Sequence, residues 1–533
     1  MKDLYVIEAV GKIKALAATL RGLGIDAEVV ATLGHLYENP RQLHPVGVEI
    51  DGSGAYAETL RYPGKPAARA FLEKAIRRAN RLVLATDIDQ EGHAIANDVA
   101  DLAHRLGFAG PILRLTVAAL DSVSVAHGLR ELRPWTPGAG VAGIGRRIAD
   151  RLIASSCSDP GNGVFVGRVQ TALLSLCYQG AVRRRVLTMS VGAEDGGRPF
   201  SVSLEAPAGV ADAELRSLHQ TVGLATVVDA AIEPVSLPLN GAAALLEIEA
   251  ELGVSIADAA DLLQDLYEGG ELSYPRTAMR AFTGLGADAV HRLASLRGVI
   301  SFQRNSVPLL QPGEGPHEAL RVLEERLQLQ KPIQLRATVS EQVLALVGRR
   351  SVESGIAVPV QTGFVPGLPS WAGNVRVARA SPGARLPWAV RASDAVRIRE
   401  RSPQGALVAA MVEHGIGRPS TYAPHAVRLV ESGLVDARMG PTAAGLKVLD
   451  AAPAGLRDVR RAPEVELCLD RAKSVSEAVT NVFKVLGLQD PAHVVANKKL
   501  PGDAAAAPDR RQEGHGEQIE QEDEDVPAYR LPY

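Results

Sequence analysis

The sequence predicts an α/β domain at the N-terminus, followed by mainly helical and β-rich domains. Short apolar runs at 4–8 and 81–86 are bounded by polar residues, as is typical of buried parallel strands. Each run precedes a helical pattern, over 12–22 and 92–106, and this alternation indicates an α/β domain. The 533 residues leave room for further domains, because one domain usually takes about 100 to 200 residues.

Beyond the first domain, the predicted class of structure changes several times. The pattern is helical over 144–154 and 168–180, strand-like over 186–240, helical over 241–330, strand-like over 333–405 and mostly helical over 405–490. Because the two strand-like segments flank a helical one, we expect one domain to be inserted within another.

Composition describes a soluble globular chain. Apolar residues make up 46% of the sequence and charged residues 22%. No apolar stretch approaches the ~20 residues that span a bilayer, and the N-terminal segment lacks the long apolar region of a signal peptide. We therefore expect a cytoplasmic protein with no membrane partner. Neither a disulfide framework nor a zinc ribbon is expected from three widely separated cysteines, Cys157, Cys177 and Cys468.

The charge is distributed unevenly along the chain. Residues 501–533 hold nine acids and three arginines, a net charge of −6, so the first 500 residues carry +3 within a total of −3. A mildly basic body is compatible with a nucleic-acid partner but does not demand one. The acidic tail has few apolar residues to bury, and we expect it to be disordered.

Carboxylates follow both predicted strands of the first domain. Asp87, Asp89 and Glu91 alternate in the segment TDIDQEG, so an extended chain would point all three to one side. Glu8 ends the other strand, and open α/β sheets place their sites at such carboxyl ends. Oxygen ligands that would otherwise repel one another favour Mg²⁺. The alternative is an acidic loop that caps the next helix.

Two nucleotide-binding motifs are excluded. The segment GAGVAG at 138–143 matches G-x-G-x-x-G but follows WTP rather than a strand, so dinucleotide binding is rejected. No G-x-x-x-x-G-K-[ST] motif occurs, so the sequence gives no support for ATP use.

A candidate nucleophile lies in ELSYPRT, residues 271–277, after a predicted helix that Gly269 and Gly270 end. In an extended segment Tyr274 and Arg276 face the same way. A tyrosine with a pKa of ~10 is a poor nucleophile unaided. A guanidinium beside it stabilises both a phenolate and an attacked phosphate. The alternative is an ordinary strand tyrosine at a domain surface.

The segment GIGRPST at 415–421 offers an anion cradle. Its glycines precede a helix start, and Arg418, Ser420 and Thr421 add a cation and two hydroxyls. A plain glycine turn with a helix cap is the alternative. GRVQ at 167–170 and PHEALR at 316–321 are weaker signals of the same kind.

These motifs, in this order, resemble those of the type IA DNA topoisomerases. EAVGK (8–12) resembles the family's ESPAK, and ATDIDQEGHAIA (85–96) is similar to the Toprim signature. ATLGHLYENP, RRIADRL, GRVQ, SYPRT, HEALR, GIGRPSTY and PTAAG resemble further family motifs, so that the resemblance covers residues 1–450.

The resemblance implies a Toprim α/β domain followed by a multi-domain torus with a winged-helix-like catalytic domain. It implies the following domains: Toprim, 1–130; helical DNA-binding domain, 131–185 and 406–495; β-rich gate arch, 186–240 and 333–405; catalytic tyrosine domain, 241–332; and the acidic tail, 496–533.

The resemblance also implies a mechanism. Tyr274 would attack one DNA strand to give a 5′-phosphotyrosine bond, with Arg276 at the phosphate and Glu8 and Lys12 assisting at the leaving 3′-oxygen. The implied Mg²⁺ ligands are Glu8, Asp87, Asp89 and Glu91. The implied DNA-binding residues are His35, Arg147, Asp150, Arg168, Gln170, His317, Arg418, Ser420 and Thr421.

Departures from the family pattern leave two hypotheses. The family's EGE is Glu91-Gly92-His93 here, its TDS is Thr277-Ala278-Met279, and the tetracysteine ribbons of many members are absent from this sequence. One hypothesis is an ATP-independent, Mg²⁺-dependent topoisomerase that relaxes negatively supercoiled DNA. The other is a catalytically weak or inactive relative that binds single-stranded DNA with a helicase or single-strand-binding protein as partner.

Overall fold

In the computed structural model of this protein, the described residues are 2–40, 42–59, 61–136, 140–182, 185–192, 200–206, 210–220, 222–311, 317–323, 337–377, 385–390 and 397–496. The predicted acidic tail lies outside them from residue 497 onwards.

The N-terminal region is an α/β domain. Its strands are β1 (Asp3–Ile7), β2 (Ala27–Ala31), β3 (Tyr37–Glu38), β4 (Val48–Ile50), β5 (Tyr56–Glu58), β6 (Tyr62–Pro63), β7 (Leu82–Leu84), β8 (Ile112–Arg114) and β9 (Arg133–Pro134). Its helices are α1 (Gly11–Gly22), α2 (Pro66–Ile76), α3 (Gln90–Arg105) and α4 (Ser122–Arg130). The main sheet has the order β2-β1-β7-β8-β9, and β9 pairs antiparallel at its edge while the other pairs are parallel.

Helices cover both faces of this sheet, as expected for strands whose side chains are apolar on both sides. Leu16 and Leu20 of α1 and Val125 of α4 pack on one face. Leu72 of α2 and Val99 of α3 pack on the other. The central strands β1 and β7 are neighbours and parallel, so the residues that follow them lie at the same edge of the sheet.

The remaining helices are α5 (Val141–Cys157), α6 (Arg168–Tyr178), α7 (Asp212–Ser217), α8 (Gly241–Leu252), α9 (Ile256–Glu268), α10 (Gly284–Leu296), α11 (Val339–Glu353), α12 (Pro403–His414), α13 (Tyr422–Glu431), α14 (Ala443–Ala451), α15 (Ala454–Arg457), α16 (Arg461–Arg471), α17 (Val475–Leu486) and α18 (Pro491–Ala496). One apolar core joins helices that are distant in sequence, through residues such as Leu152, Leu173, Leu245, Leu407 and Phe483. Among the described residues, none of the helices is both long and apolar enough to cross a membrane.

Two separate chain passes build a second sheet. Its strands are β10 (Arg185–Gly192), β11 (Phe200–Ala206), β12 (Val222–Pro234), β13 (Ala357–Phe364), β14 (Val375–Val377), β15 (Arg385–Val390) and β16 (Arg397–Glu400). The order is β11-β10-β15-β12-β13-β14, and β16 also pairs with β10. The tyrosine-bearing helical segment between the passes is therefore inserted within the β-rich region.

The strand-like pattern predicted over 333–405 is wrong at its start, because residues 339–353 form α11. Thr338 and Glu341 cap this helix reciprocally, which satisfies the free N–H groups of its first turn. Val343 and Val347, one helical turn apart, are fully buried. The domain boundaries given above remain predictions.

Candidate active site

The strand ends of β1 and β7 bring Glu8 and Asp87 together. Glu8 Oε1 accepts the backbone N–H of Asp87 at 2.9 Å. Asp89 is the N-cap of α3 and accepts the backbone N–H of Gly92 at 2.8 Å. The chain thus becomes helical directly after Asp89. The expected extended alternation, which would point Glu91 to the same side as Asp87 and Asp89, is therefore wrong.

Glu91 lies instead in the first turn of α3, on the flank of the site. His35 Nε2 and Glu91 Oε2 are hydrogen-bonded at 2.7 Å. This hydrogen bond holds the pKa of Glu91 below its usual value, and the charges of Arg146 and Arg147 act in the same direction. Glu91 therefore faces basic groups, away from the carboxyl groups of Glu8, Asp87 and Asp89, which together form the carboxylate site.

Gly92 permits the close approach of these carboxyl groups. A Cβ atom at this position would lie 2.2 Å from the Asp87 carbonyl oxygen and 2.5 Å from Glu8 Oε1. Such distances require the backbone or Glu8 to move. A residue with a side chain would therefore displace the first turn of α3 from the strand ends.

Two donors from separate segments hold Asp87. Lys12, in the first turn of α1, is 3% exposed and donates from Nζ to Asp87 Oδ1 at 2.6 Å. Tyr267, in the last turn of α9, donates its hydroxyl to the same oxygen at 2.9 Å. The Lys12 Nζ also lies 4.4 Å from the centre of the Tyr267 ring, in a cation–π contact. Burial and the charge of Asp87 raise the pKa of Tyr267 well above its usual value, so it remains a donor.

The predicted nucleophile contacts the third carboxylate. Tyr274 is 2% exposed, and its hydroxyl donates to Asp89 Oδ2 at 2.5 Å. Its backbone N–H donates to the Ala118 carbonyl at 3.0 Å. The ring stacks on His317 with centroids 4.6 Å apart and meets the Tyr267 ring edge-on at 5.4 Å. These contacts fix the tyrosine oxygen at the carboxyl edge of the N-terminal sheet.

Electrostatics keep Tyr274 protonated in this arrangement. Burial first, then the charges of Asp89 and Asp87, raises the pKa of Tyr274 well above its usual value. The charge of Arg276 lowers that pKa, so the guanidinium lies close enough to act on the phenol. Arg276 is exposed while Tyr274 is buried, which leaves the guanidinium accessible to an incoming phosphate.

Glu8 and Arg114 complete the strand-end arrangement. Burial and the charge of Asp87 raise the pKa of Glu8 to about 8. Arg114, at the end of β8, donates to the backbone carbonyls of Thr86 at 2.7 Å and Asp87 at 2.6 Å. Burial lowers the pKa of Arg114 to about 10. Its hydrogen bonds tie the chain that carries Asp87 to the neighbouring strand.

Several predicted DNA contacts belong to a second group, the arginine cluster, formed by Arg146, Arg168, Arg418 and Glu466. Arg146 and Arg168 each lie 2.7 Å from a Glu466 oxygen, and Arg418 lies at 2.8 Å. Although burial opposes its ionisation, these three charges lower the pKa of Glu466 to about 2. The cluster joins α5, α6 and α16 and holds the start of α13 in place.

A cavity of about 450 Å³ lies beside this cluster. Asp150, which pairs with Arg168 at 2.9 Å, and Gln170 both line it. Its walls also include Phe165, His425 and Arg428.

The other predicted contacts lie close to these two groups. Arg147 binds both carboxylate oxygens of Glu58, and its charge reaches Glu91. Thr421 Oγ1 accepts the backbone N–H of Arg418 at 3.3 Å and closes the short turn that contains Ser420.

The structure therefore sorts the predicted residues into three sets. At or beside the carboxylate site lie Glu8, Lys12, Asp87, Asp89, Tyr274 and His317. On its flank lie His35, Glu91, Arg147 and Arg276. In or next to the arginine cluster and its cavity lie Asp150, Arg168, Gln170, Arg418, Ser420 and Thr421.

Four residues of these groups were not predicted. Tyr267 stands in the last helical turn before the tyrosine segment, residues 271–277, and this position was the available signal. Arg114 follows an apolar pair in β8, as a charged residue in a buried strand. Arg146 precedes the predicted Arg147 in α5. Glu466 lies in α16, and its partner Arg168 is 298 residues away in sequence.

Comparison with known proteins identifies a domain and relatives of this chain. Residues 3–120 match the Toprim domain model. The chain carries a Toprim domain. It is 25% identical over 492 residues to DNA topoisomerase 1 of Zymomonas mobilis, covering 79% of this chain and 39% of that protein. It is 24% identical to DNA topoisomerase 1 of Aquifex aeolicus, covering 84% and 90% of the two chains. The resemblance to topoisomerases is confirmed as homology to bacterial DNA topoisomerase 1.

Solved structures extend this similarity to the fold. Full-length topoisomerase I from Thermotoga maritima matches with a TM-score of 0.60 and 20% identity, over 92% of this chain and 90% of that chain. The predicted fold class, a Toprim α/β domain followed by a multi-domain topoisomerase fold, is therefore confirmed. The chain spans 39% and 61% of the first two curated relatives that it matches.

The chemistry of the carboxylate site fits a divalent cation, as the Toprim domain also suggests. The site offers oxygen atoms only. Burial first, and then the charge of Asp87, raises the pKa of Glu8, and a cation would relieve that repulsion. Here Lys12, Tyr267 and Tyr274 donate to Asp87 and Asp89. Among the described residues, no group of three or more acids, histidines or cysteines is arranged to hold a metal ion.

If the carboxylate site cleaves DNA, as proposed below, the Gly92→Ala substitution is expected to slow cleavage about 100-fold, because a displacement of roughly 1 Å among reacting groups costs that much. If the arginine cluster binds DNA, as the sequence predicts for Arg168 and Arg418, binding of single-stranded DNA should change less than twofold, since that cluster lies elsewhere. The cleavage rate is measured with a labelled oligonucleotide, and the affinity for the same oligonucleotide is measured by fluorescence anisotropy. Gly22→Ala is the matched control, because a Cβ atom there meets nothing within 4 Å. A Gly92→Ala protein that cleaves at the parent rate would contradict the close-packing argument.

Proposed function

We propose that this protein is an ATP-independent, Mg²⁺-dependent type IA DNA topoisomerase. It would cleave one DNA strand through a 5′-phosphotyrosine bond, pass a strand and religate, thereby relaxing negatively supercoiled DNA. One observation carries the proposal: the Tyr274 hydroxyl donates to Asp89 of the Toprim domain at 2.5 Å, across 185 residues of sequence. A buried tyrosine hydroxyl has no structural need for an acidic partner at the end of a strand of another domain, whereas phosphoryl transfer by a tyrosine uses a nucleophile beside acidic groups that can hold a cation.

The proposed step forms one bond and breaks another. The Tyr274 oxygen attacks the phosphorus of a backbone phosphodiester, and its proton passes to Asp89, the acceptor already bonded to it. The bond from phosphorus to the 3′-oxygen breaks, and Lys12, with Glu8 beside it, would donate the proton that converts the leaving oxygen to a 3′-hydroxyl. Arg276 offers its exposed guanidinium to the phosphate. Because the tyrosyl ester conserves the bond, religation needs no nucleotide.

Glu8, Asp87 and Asp89 are the proposed ligands of Mg²⁺, whereas Glu91, predicted as the fourth, is bonded to His35 on the flank of the site and is not proposed as a ligand. When bound, the ion would neutralise phosphate charge and orient the strand at the cleavage point.

One observation favours a second candidate, an inactive relative that binds single-stranded DNA with a helicase or single-strand-binding partner. His93 stands where the family has a carboxylate. Burial lowers the pKa of His93 to about 4, so the side chain is neutral and the site has one negative charge fewer.

The Tyr274→Phe variant is expected to form no covalent adduct with DNA. Single-stranded oligonucleotides labelled at the 5′ or the 3′ end are incubated with protein and Mg²⁺, denatured with SDS and separated on a gel. For the parent, only the 3′ label should migrate with protein, since the downstream fragment is held through its 5′ phosphate.

Tyr178→Phe is the control, because that tyrosine is 68% exposed and lies outside both groups of residues. An adduct formed equally by Tyr274→Phe would contradict the proposal. No adduct from the parent, with DNA binding intact, would support the inactive relative.

Removal of Mg²⁺ with EDTA is expected to abolish relaxation of a negatively supercoiled plasmid, and added Mg²⁺ to restore it. Asp87→Asn should raise the Mg²⁺ concentration for half-maximal relaxation at least tenfold, because an amide is a weaker ligand for a hard cation. Asp98→Asn, a buried acid of the same domain paired with Arg61, should leave the requirement unchanged. Full relaxation in EDTA would exclude the metal.

A further inference from the structure

We propose that Arg321 is a positioning residue, which docks the tyrosine segment on the Toprim domain by gripping Asp121. The inference rests on the proposed function of Tyr274 and names what holds that tyrosine in reach of the carboxylate site. It concerns a contact remote from the reacting atoms.

The backbone of Arg321 is paired with the tyrosine segment. The Ser273 N–H donates to the Arg321 carbonyl at 3.0 Å, and the Arg321 N–H donates to Ser273 Oγ at 2.9 Å. Leu272 and Val322 form a β-bridge one position further along. Any displacement of Arg321 is therefore transmitted to the residue directly before Tyr274.

The side chain of Arg321 crosses to the Toprim domain. It is 4% exposed, and its Nη2 lies 3.0 Å from Asp121 Oδ2 and 3.3 Å from Ser124 Oγ. On its own side, Nε contacts Glu318 Oε1 at 2.6 Å. Glu318 in turn accepts the hydroxyl of Thr283, the N-cap of α10. The guanidinium thus joins the start of α10 to the start of α4.

Asp121 is fixed on the Toprim side. It is 2% exposed and caps α4 by accepting the Ser124 N–H at 2.8 Å. Three residues earlier, the Ala118 carbonyl accepts the Tyr274 N–H at 3.0 Å. The loop from 118 to 124 therefore receives both the backbone of Tyr274 and the guanidinium of Arg321.

The ion pair of Arg321 with Asp121 and the backbone bond of Tyr274 to Ala118 dock the tyrosine segment on the same loop. The ion pair dominates because both of its side chains are buried and charged. Removing one member of a buried ion pair leaves the other without compensation, which disfavours the closed arrangement strongly. The Tyr274 hydroxyl then meets Asp89 less often, while the arginine cluster and its cavity are unaffected.

Asp121→Ser tests this directly. A serine still caps α4 but is too short to reach Arg321. Single-turnover cleavage at saturating single-stranded oligonucleotide is expected to slow at least tenfold, with the oligonucleotide Kd within twofold of the parent. In DNA-free protein, hydrogen exchange in the peptide containing Tyr274 should become at least tenfold faster, because the bond to Ala118 opens more often.

Asp98→Asn is the matched control. It removes an equally buried partner, whose two oxygens each lie 2.8 Å from Arg61, but this pair lies within the Toprim domain. Neither readout should change. Parent-like cleavage by Asp121→Ser, or the same two changes in Asp98→Asn, would overturn the proposal. If the parent itself forms no adduct, the proposed function fails, yet the exchange comparison still decides whether Arg321 docks the segment.

Discussion

Negative charge concentrated at the ends of two neighbouring strands is the constraint on which the rest of the site depends. Glu8, Asp87 and Asp89 lie together because β1 and β7 are parallel and adjacent, and this is unfavourable without compensating donors. The protein supplies three, from Lys12, Tyr267 and Tyr274. Two of them come from the tyrosine-bearing region, so the same charge that suits a cation also draws that region onto the Toprim domain.

The proposed reaction would give the tyrosine a second partner. In the structure, Tyr274 is a buried donor to Asp89, stacked on His317, with a pKa held well above the usual value. The proposed step exchanges that donor bond for a bond to phosphorus. The role proposed for the buried pair of Arg321 and Asp121 is to keep the segment in place during that exchange, since the pair lies apart from the reacting atoms.

Local signals predicted much of this arrangement, and long-range pairing explains what they missed. The strand ends and the glycine stop after α9 were readable because each depends on neighbouring residues. Glu91 was misplaced because α3 begins at Gln90, two residues before the predicted start at residue 92, with Asp89 as its cap. The helix α11 was missed although Thr338 and Glu341 carry a capping signal. Tyr267 and Glu466 act through partners 180 and 298 residues away, which no local pattern reveals.

The hydroxyls of Tyr274 and its neighbour Tyr267 both contact the carboxylate site, and the proposed function assigns the bond to DNA to Tyr274. Mass spectrometry of the purified covalent adduct distinguishes the two. Cleavage after glutamate separates the two tyrosines, because Glu268 and Glu271 lie between them. We expect a nucleotide 5′-phosphate on the peptide that begins at Leu272. The same mass increase on the peptide that ends at Glu268, with the Leu272 peptide unmodified, would contradict this assignment.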